Sequence, residues 1–182
     1  MSHFTVLVVG QNVKEQLAPF DENIEMPLYE DGILSESEKK DMMEYYAKHE
    51  RTSFHSFEEC YERFGEDWND NMWKRDTEGV WHRYSTYNPN SKWDGYMIGG
   101  RWNNGLELKD GTRVNSALKR DIVNLDDIST FAILKDYKWY EKAKMGWWGF
   151  YIGEDKEWDE KFKKIIGDLP GDTLLTVVDC HI

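Results

Sequence analysis

An α+β domain is the fold class this 182-residue chain predicts: one mixed or antiparallel sheet with its N- and C-terminal strands adjacent and helices packed on one side. Three observations point to it. The two longest β-branched, apolar runs, Ser2 to Gly10 (SHFTVLVVG) and Thr173 to Ile182 (TLLTVVDCHI), sit at the two ends of the chain and read as buried strands. Helical patterns with their own start and stop signals occupy separate stretches between them. From Val80 the texture changes to short aromatic runs punctuated by Gly, Asn and Pro, the mark of antiparallel hairpins. The length suits a single domain covering residues 1–182.

Element by element, Gly10 to Tyr29 carries Pro19 and Pro27 and reads as a loop with a helical turn at Val13 to Leu17. A helix follows from Ser35 to about Glu50, because the Ser35 hydroxyl can cap while Glu38 returns the capping-box bond. Its core-facing stripe should include Met42 and Tyr46, by the i, i+4 rule. Ser56 with Glu59 repeats the signature for a short helix that Gly65 ends. The acidic, aromatic segment 66–79 has no clear period and is expected to be an exposed loop or short helix. Val80 to Tyr87 alternates weakly as a strand, Asn88-Pro89-Asn90 is a turn, and Lys109-Asp110-Gly111-Thr112 joins two short strands. Thr130 to Leu134 and Lys138 to Tyr140 form a further hairpin around Asp136. Met145 to Phe150 (MGWWGF) reads as strand or loop. The last helix is expected over residues 154–166, with Trp158, Phe162, Ile165 and Ile166 on one face and Gly167 at its end.

Composition narrows the function. The net charge of −12 argues against a nonspecific duplex-DNA binder, whose affinity comes from neutralising phosphates with Lys and Arg. A small phosphorylated ligand needs only one or two placed cations and survives that objection. Nine Trp, ten Tyr and eight Phe supply ring faces that either fill a core or stack on bases. Cys60 and Cys180 are far apart, with neither disulfide framework nor zinc-finger spacing, which fits a reduced, cytoplasmic setting. The first residues lack the order of a signal peptide, and no apolar run approaches the roughly 20 residues that span a bilayer, so no membrane partner is expected.

Chemistry concentrates first at the chain ends. Side chains alternate faces along a strand, so His3 shares a face with Thr5 and His181 with Asp179. If the terminal strands pair antiparallel, His3 lies beside His181, and two imidazoles, a carboxylate and a hydroxyl form a cluster able to relay protons or to hold a divalent metal. The same residues also fit exposed strand ends with no role. No cofactor is firmly implied, and a divalent metal is an option.

The second stretch, Ser91 to Trp102 (SKWDGYMIGGRW), combines Gly99 and Gly100, which allow close backbone approach, with Arg101 to grip phosphate and Trp93 or Trp102 to stack on a base. It is neither a P-loop nor a dinucleotide fingerprint, and a tight bend with Arg101 between rings is its bland reading. His82, in the run His82-Arg83-Tyr84-Ser85, is a third candidate for ligand binding, against the alternative of a satisfied surface histidine. Gly146-Trp147-Trp148-Gly149 could wall a base pocket or pack as core.

Two resemblances add expectations. His3-Phe4-Thr5 resembles one His-x-Thr motif of the two-histidine phosphoesterases, which implies phosphodiester chemistry. A second such motif is absent, and His181 would have to stand in for it. The opening SHFTVLVVG, Tyr84 to Asp94, Ile98-Gly99-Gly100-Arg101-Trp102, Met145 to Gly149 and the closing DTLLTVVDCHI together resemble an uncharacterised family of bacteriophage and bacterial proteins. That resemblance implies a phage-type accessory protein in the bacterial cytosol, acting on host defence. The expectation is a hydrolase that binds a phosphorylated nucleotide, such as a defence signal, and cleaves a phosphodiester bond. His3, Thr5, Asp179 and His181 would do the chemistry, with Arg101, Gly99, Gly100, Trp93, Trp102 and His82 as ligand contacts. The alternatives are a nucleotide-sequestering protein and an acidic inhibitor of a host factor. An oligomer is compatible with any of these.

Overall fold

The computed structural model describes residues 2–65, 73–128, 130–145 and 151–182. Along the chain the elements are β1 (His3–Val9), α1 (Val13–Leu17) running into a 3-10 turn at Ala18–Phe20, β2 (Tyr29–Ile33), α2 (Glu36–Glu50), α3 (Phe57–Phe64), β3 (Trp73–Arg75), β4 (Trp81–Ser85) and β5 (Gly95–Ile98). A 3-10 turn at Gly100–Trp102 leads to β6 (Leu106–Glu107), β7 (Arg113–Val114), β8 (Ser116–Leu118), β9 (Ala132–Lys135), β10 (Lys138–Glu141), β11 (Lys144–Met145), β12 (Tyr151–Ile152), α4 (Trp158–Gly167) and β13 (Leu174–His181). The chain divides into two compact units, one made of Met1–Ile24 with Asn88–Ile182, the other of Glu25–Tyr87. No helix among the described residues is long and apolar enough to cross a membrane.

The first unit is built on the two chain ends. Its sheet runs β10-β9-β1-β13-β5, with β8 also paired to β13. β1 and β13 are antiparallel in the register His3 to His181, Thr5 to Asp179, Leu7 to Val177 and Val9 to Leu175. β1 pairs β9 in parallel, with Val6 opposite Ala132, so the sheet is mixed. The fold class is thus α+β, with the terminal strands side by side.

Because β1 is buried at every position from Phe4 to Val9 and apolar at all but Thr5, both of its faces need cover. Phe4, Val6, Val8, Leu134, Val178 and Cys180 pack with Leu17, Phe20 and Trp93 on one side. Leu7, Val9, Ile133, Leu175 and Val177 pack with Trp158, Phe162 and Ile166 of α4 on the other. Helical cover therefore lies on two faces, α1 with its 3-10 turn on one and α4 on the other, where one side was expected. An alternating strand would have needed a single layer; an apolar strand needs two.

Local signals act as read. The β9–β10 hairpin turns through Asp136 and Tyr137, both at positive φ (51° and 60°), as a two-residue primed turn requires. Gly111, at φ 82°, turns β6 into β7. α4 begins at Trp158, later than residue 154, because Asp155 folds into a turn in which its Oδ1 accepts the Glu157 N–H (3.0 Å).

In the second unit β2, β4 and β3 form a three-stranded antiparallel sheet. Trp73–Arg75 is therefore a strand, within a segment expected to be loop or short helix. Ser35 and Glu38 complete the capping box of α2, and the Ser56 hydroxyl accepts the Glu59 N–H at the start of α3. Leu34, Phe57 and Trp81 form this unit's core, with Met42, Met43, Tyr61 and Trp73 against it. Tyr46 stacks on Phe64 with ring centroids 5.0 Å apart.

Leu134 sits fully buried in the first core. Leu134→Ala should lower the unfolding free energy by about 2–5 kcal/mol, since the removed methyls leave a cavity. Urea denaturation should show a lower midpoint at unchanged slope.

Candidate functional site

His3 opens β1 and His181 closes β13, and the register puts them opposite one another with ring centroids 5.4 Å apart and planes inclined at 46°. The next pair on the same face is Thr5 and Asp179. This row continues the Leu7–Val177 layer to the ends of the two strands, so the apolar packing that sets the register also sets the histidine pair.

Asp179 is 4% exposed, and a carboxylate so placed needs partners for both oxygens. Oδ1 lies 2.8 Å from His3 Nδ1. Oδ2 accepts the backbone N–H of Arg101 at 2.9 Å. The second bond depends on the Gly99-Gly100 bend. Gly100 lies at φ 48°, and a Cβ there would fall 2.4 Å from Asp179 Oδ2. Only glycine lets the chain come this close.

His181 has a carboxylate of its own. Its Nδ1 lies 2.5 Å from Oδ1 of Asp94, an ion-pair contact of two buried atoms without the alignment of a hydrogen bond. β5 pairs β13 so that Gly95 faces His181, and a Cβ on Gly95 would lie 2.3 Å from His181 Nε2. The imidazole thus rests over bare backbone. The Asp94 N–H donates to the His181 carbonyl (2.9 Å), and the Asp94 carbonyl accepts from Asn23 Nδ2 (2.9 Å), which fixes the loop before β5. Both imidazoles therefore present Nδ1 to a carboxylate and leave Nε2 as the nitrogen for chemistry.

The other expected residues divide. Thr5 is buried and its hydroxyl faces the Phe131 N–H at 3.4 Å, joining β1 to the start of β9. The Arg101 side chain is exposed, and among the described residues it has no ion pair or side-chain hydrogen bond. Trp102 is partly buried against the α4-side core and lines a cleft of about 240 Å³ together with His3 and Thr5. Trp93 is core instead of ligand contact: it is 6% exposed and its indole N–H points to the Leu17 carbonyl at 3.3 Å. Gly99 packs on Asn115, where a Cβ would meet the amide at 2.5 Å. Gly146 to Gly149 lie outside the described residues.

His82 belongs to the second unit, and both of its ring nitrogens meet carboxylates there. Its Nδ1 is 2.8 Å from Glu30 Oε1 and its Nε2 3.1 Å from Asp76 Oδ2. The hydrogen bonds to Glu30 and then Asp76 raise its pKa above the usual histidine value. A larger cleft, about 660 Å³, lies in that unit among Lys39, Met43, Phe54 and Phe57 and contains none of the patch residues. Cys180 faces away from the histidines into the opposite core, where burial pushes its thiol far up and leaves it a poor nucleophile. Among the described residues, no group of three or more His, Cys, Asp or Glu side chains is arranged to hold a metal ion.

Asp94 and Gly95 are the members that sequence reasoning passed over as site residues. Asp-Gly before a short strand is an ordinary turn signal, and its meaning depends on the β5–β13 register. Compared with protein-family models, curated proteins and solved structures, the chain matches none.

Gly95→Ala should displace the His181 ring, seen as a shift of its Cε1–H NMR resonance, at an overpacking cost of about 1–3 kcal/mol with the fold retained. His82 offers a pH test. A raised folded-state value means that its ion pairs contribute fully below the unfolded value of about 6.5 and are lost as pH rises through the folded value. Asp76, whose carboxyl is lowered first by the Val80 N–H and then by His82, loses its contribution only as pH falls through its own depressed value. The melting-temperature gap between wild type and His82→Gln should therefore be widest near pH 5–6 and close toward alkaline pH.

Proposed function

We propose that this protein is a hydrolase that cleaves a phosphodiester bond of a phosphorylated nucleotide, with His3 and His181 as its paired base and acid. The observation that carries the reading is the pair of imidazoles 5.4 Å apart, each with a carboxylate at Nδ1. In the reaction, one neutral Nε2 takes a proton from the attacking water as its oxygen bonds to phosphorus. The other imidazole, protonated, gives its Nε2 proton to the leaving oxygen as the phosphorus–oxygen bond breaks. Asp179, hydrogen-bonded at His3 Nδ1, holds that proton, and Asp94, in ion-pair contact with His181 Nδ1, stabilises that imidazolium as it forms, the roles a carboxylate plays behind a catalytic histidine.

Arg101 supports phosphate binding. Its backbone is fixed by Asp179 while its guanidinium extends into solvent, where a planar fork can take two phosphate oxygens. Trp102 beside His3 provides a ring for a base, and His82 has no part in this scheme. A protein that only sequestered nucleotides would need Arg101 and Trp102 but no braced histidine pair, so the two carboxylates favour turnover. The resemblance of the chain to bacteriophage and bacterial proteins suggests the setting: an accessory protein in bacterial cytosol acting on a defence nucleotide.

Incubation with a nucleotide panel should show conversion, and His3→Ala or His181→Ala should each lower turnover by roughly 100-fold or more while bound nucleotide is retained. The pH–rate profile should be bell-shaped, since one imidazole must be neutral and the other charged. Tight retention without conversion, unchanged in both variants, would replace cleavage by sequestration.

A further inference from the structure

We propose that the cleft beside His3 is a subsite for one heteroaromatic base of the substrate, with Trp102 as its ring partner and the Thr130 hydroxyl as its polar contact. The inference rests on the phosphodiester reading above and names the part of the nucleotide that the chain selects.

Three features of the cleft support it. It shares His3 and Thr5 with the histidine patch, so whatever fills it lies next to the proposed reacting centre. Its volume, about 240 Å³, is below the roughly 300–1,000 Å³ that encloses a whole drug-sized ligand, so it takes a fragment such as one flat ring system. Trp102 and Phe131 give it aromatic lining, suited to a ring that stacks without much regard to identity.

Thr130 adds discrimination. It lines the cleft, is 2% exposed, and its Oγ1 has no hydrogen-bond partner among the described residues. Buried hydroxyls are nearly always paired, and an unpaired one stands against stability unless something supplies the partner. A base edge, with ring nitrogens and exocyclic groups, is such a partner. Thr130 also borders a second cleft, but there Asp126, Asp127 and Asp159 outnumber the one lining cation, Lys163, and the net negative charge repels a phosphorylated ligand. Across the favoured cleft Lys142 pairs with Glu154 at 3.0 Å, which leaves the lining near neutral.

Thr130→Val removes the hydroxyl and keeps the shape; Trp102→Leu removes the ring. The substrates are nucleoside 5′-(p-nitrophenyl phosphates) carrying each common base, with methyl p-nitrophenyl phosphate as the base-free control. For the preferred base, both variants should raise KM by about 10-fold with kcat little changed, and Thr130→Val should leave the rate on the methyl ester as it is in wild type. Thr130→Val should also melt no lower than wild type. Equal losses on both substrates, an unchanged KM in both variants, or a lower melting temperature for Thr130→Val would overturn the subsite. If wild type cleaves none of these esters, the cleavage reading fails by itself, and calorimetry with the four ribonucleoside 5′-monophosphates decides the subsite. Weaker binding in both variants upholds it, and equal affinity in all three proteins removes it.

Discussion

The antiparallel pairing of β1 with β13 is the constraint on which the first unit depends. Seven consecutive residue pairs, from His3 with His181 to Val9 with Leu175, lock the two ends of the chain together. Slipping that register by one residue would turn Leu7 and Val9 out of the α4-side core and Val6 and Val8 into it, so burial on both faces holds the pairing firmly. The polar row at the strand ends inherits this precision. His3 and His181 are positioned by leucines and valines several residues away, which is a more rigid support than a loop provides.

The cost of that position falls on Asp179. A carboxylate 4% exposed is tolerable only when it is paired and hydrogen-bonded. His3 supplies one partner and the Arg101 N–H the other, and the latter exists because Gly99 and Gly100 bring the backbone against the strand. The glycine pair read in the sequence as allowing a ligand close to the backbone thus has a prior duty to the buried acid. Both uses are compatible, since the bond to Asp179 engages the main chain of Arg101 and leaves its guanidinium free to face solvent.

Much of this was legible because it depends on patterns that burial imposes locally. Two apolar strands at the chain ends, a capping box at Ser35, and an alternation that puts His3 with Thr5 and Asp179 with His181 all follow from residue type and spacing. What escaped depends on partners distant in sequence. Trp93 looked like a stacking ring because its burial depends on α1, more than seventy residues earlier. The setting of His82 was hidden because Glu30, which meets its Nδ1, lies 52 residues away, while Asp76 meets its Nε2. The second layer of helical cover was missed for a different reason. The run Val6 to Val9, apolar on both faces of β1, called for it, but the sequence alone does not say which helix goes where.

The two histidines resemble each other at Nδ1 and differ around it. Behind His3 stands a carboxylate with both oxygens engaged, one by a backbone amide and almost sealed from water. Behind His181 stands Asp94, whose side chain is 29% exposed and whose inner oxygen meets only the imidazole. Since Asp179 belongs to the central strand and Asp94 to the loop entering an edge strand, this difference follows from the sheet topology that brings the two histidines together.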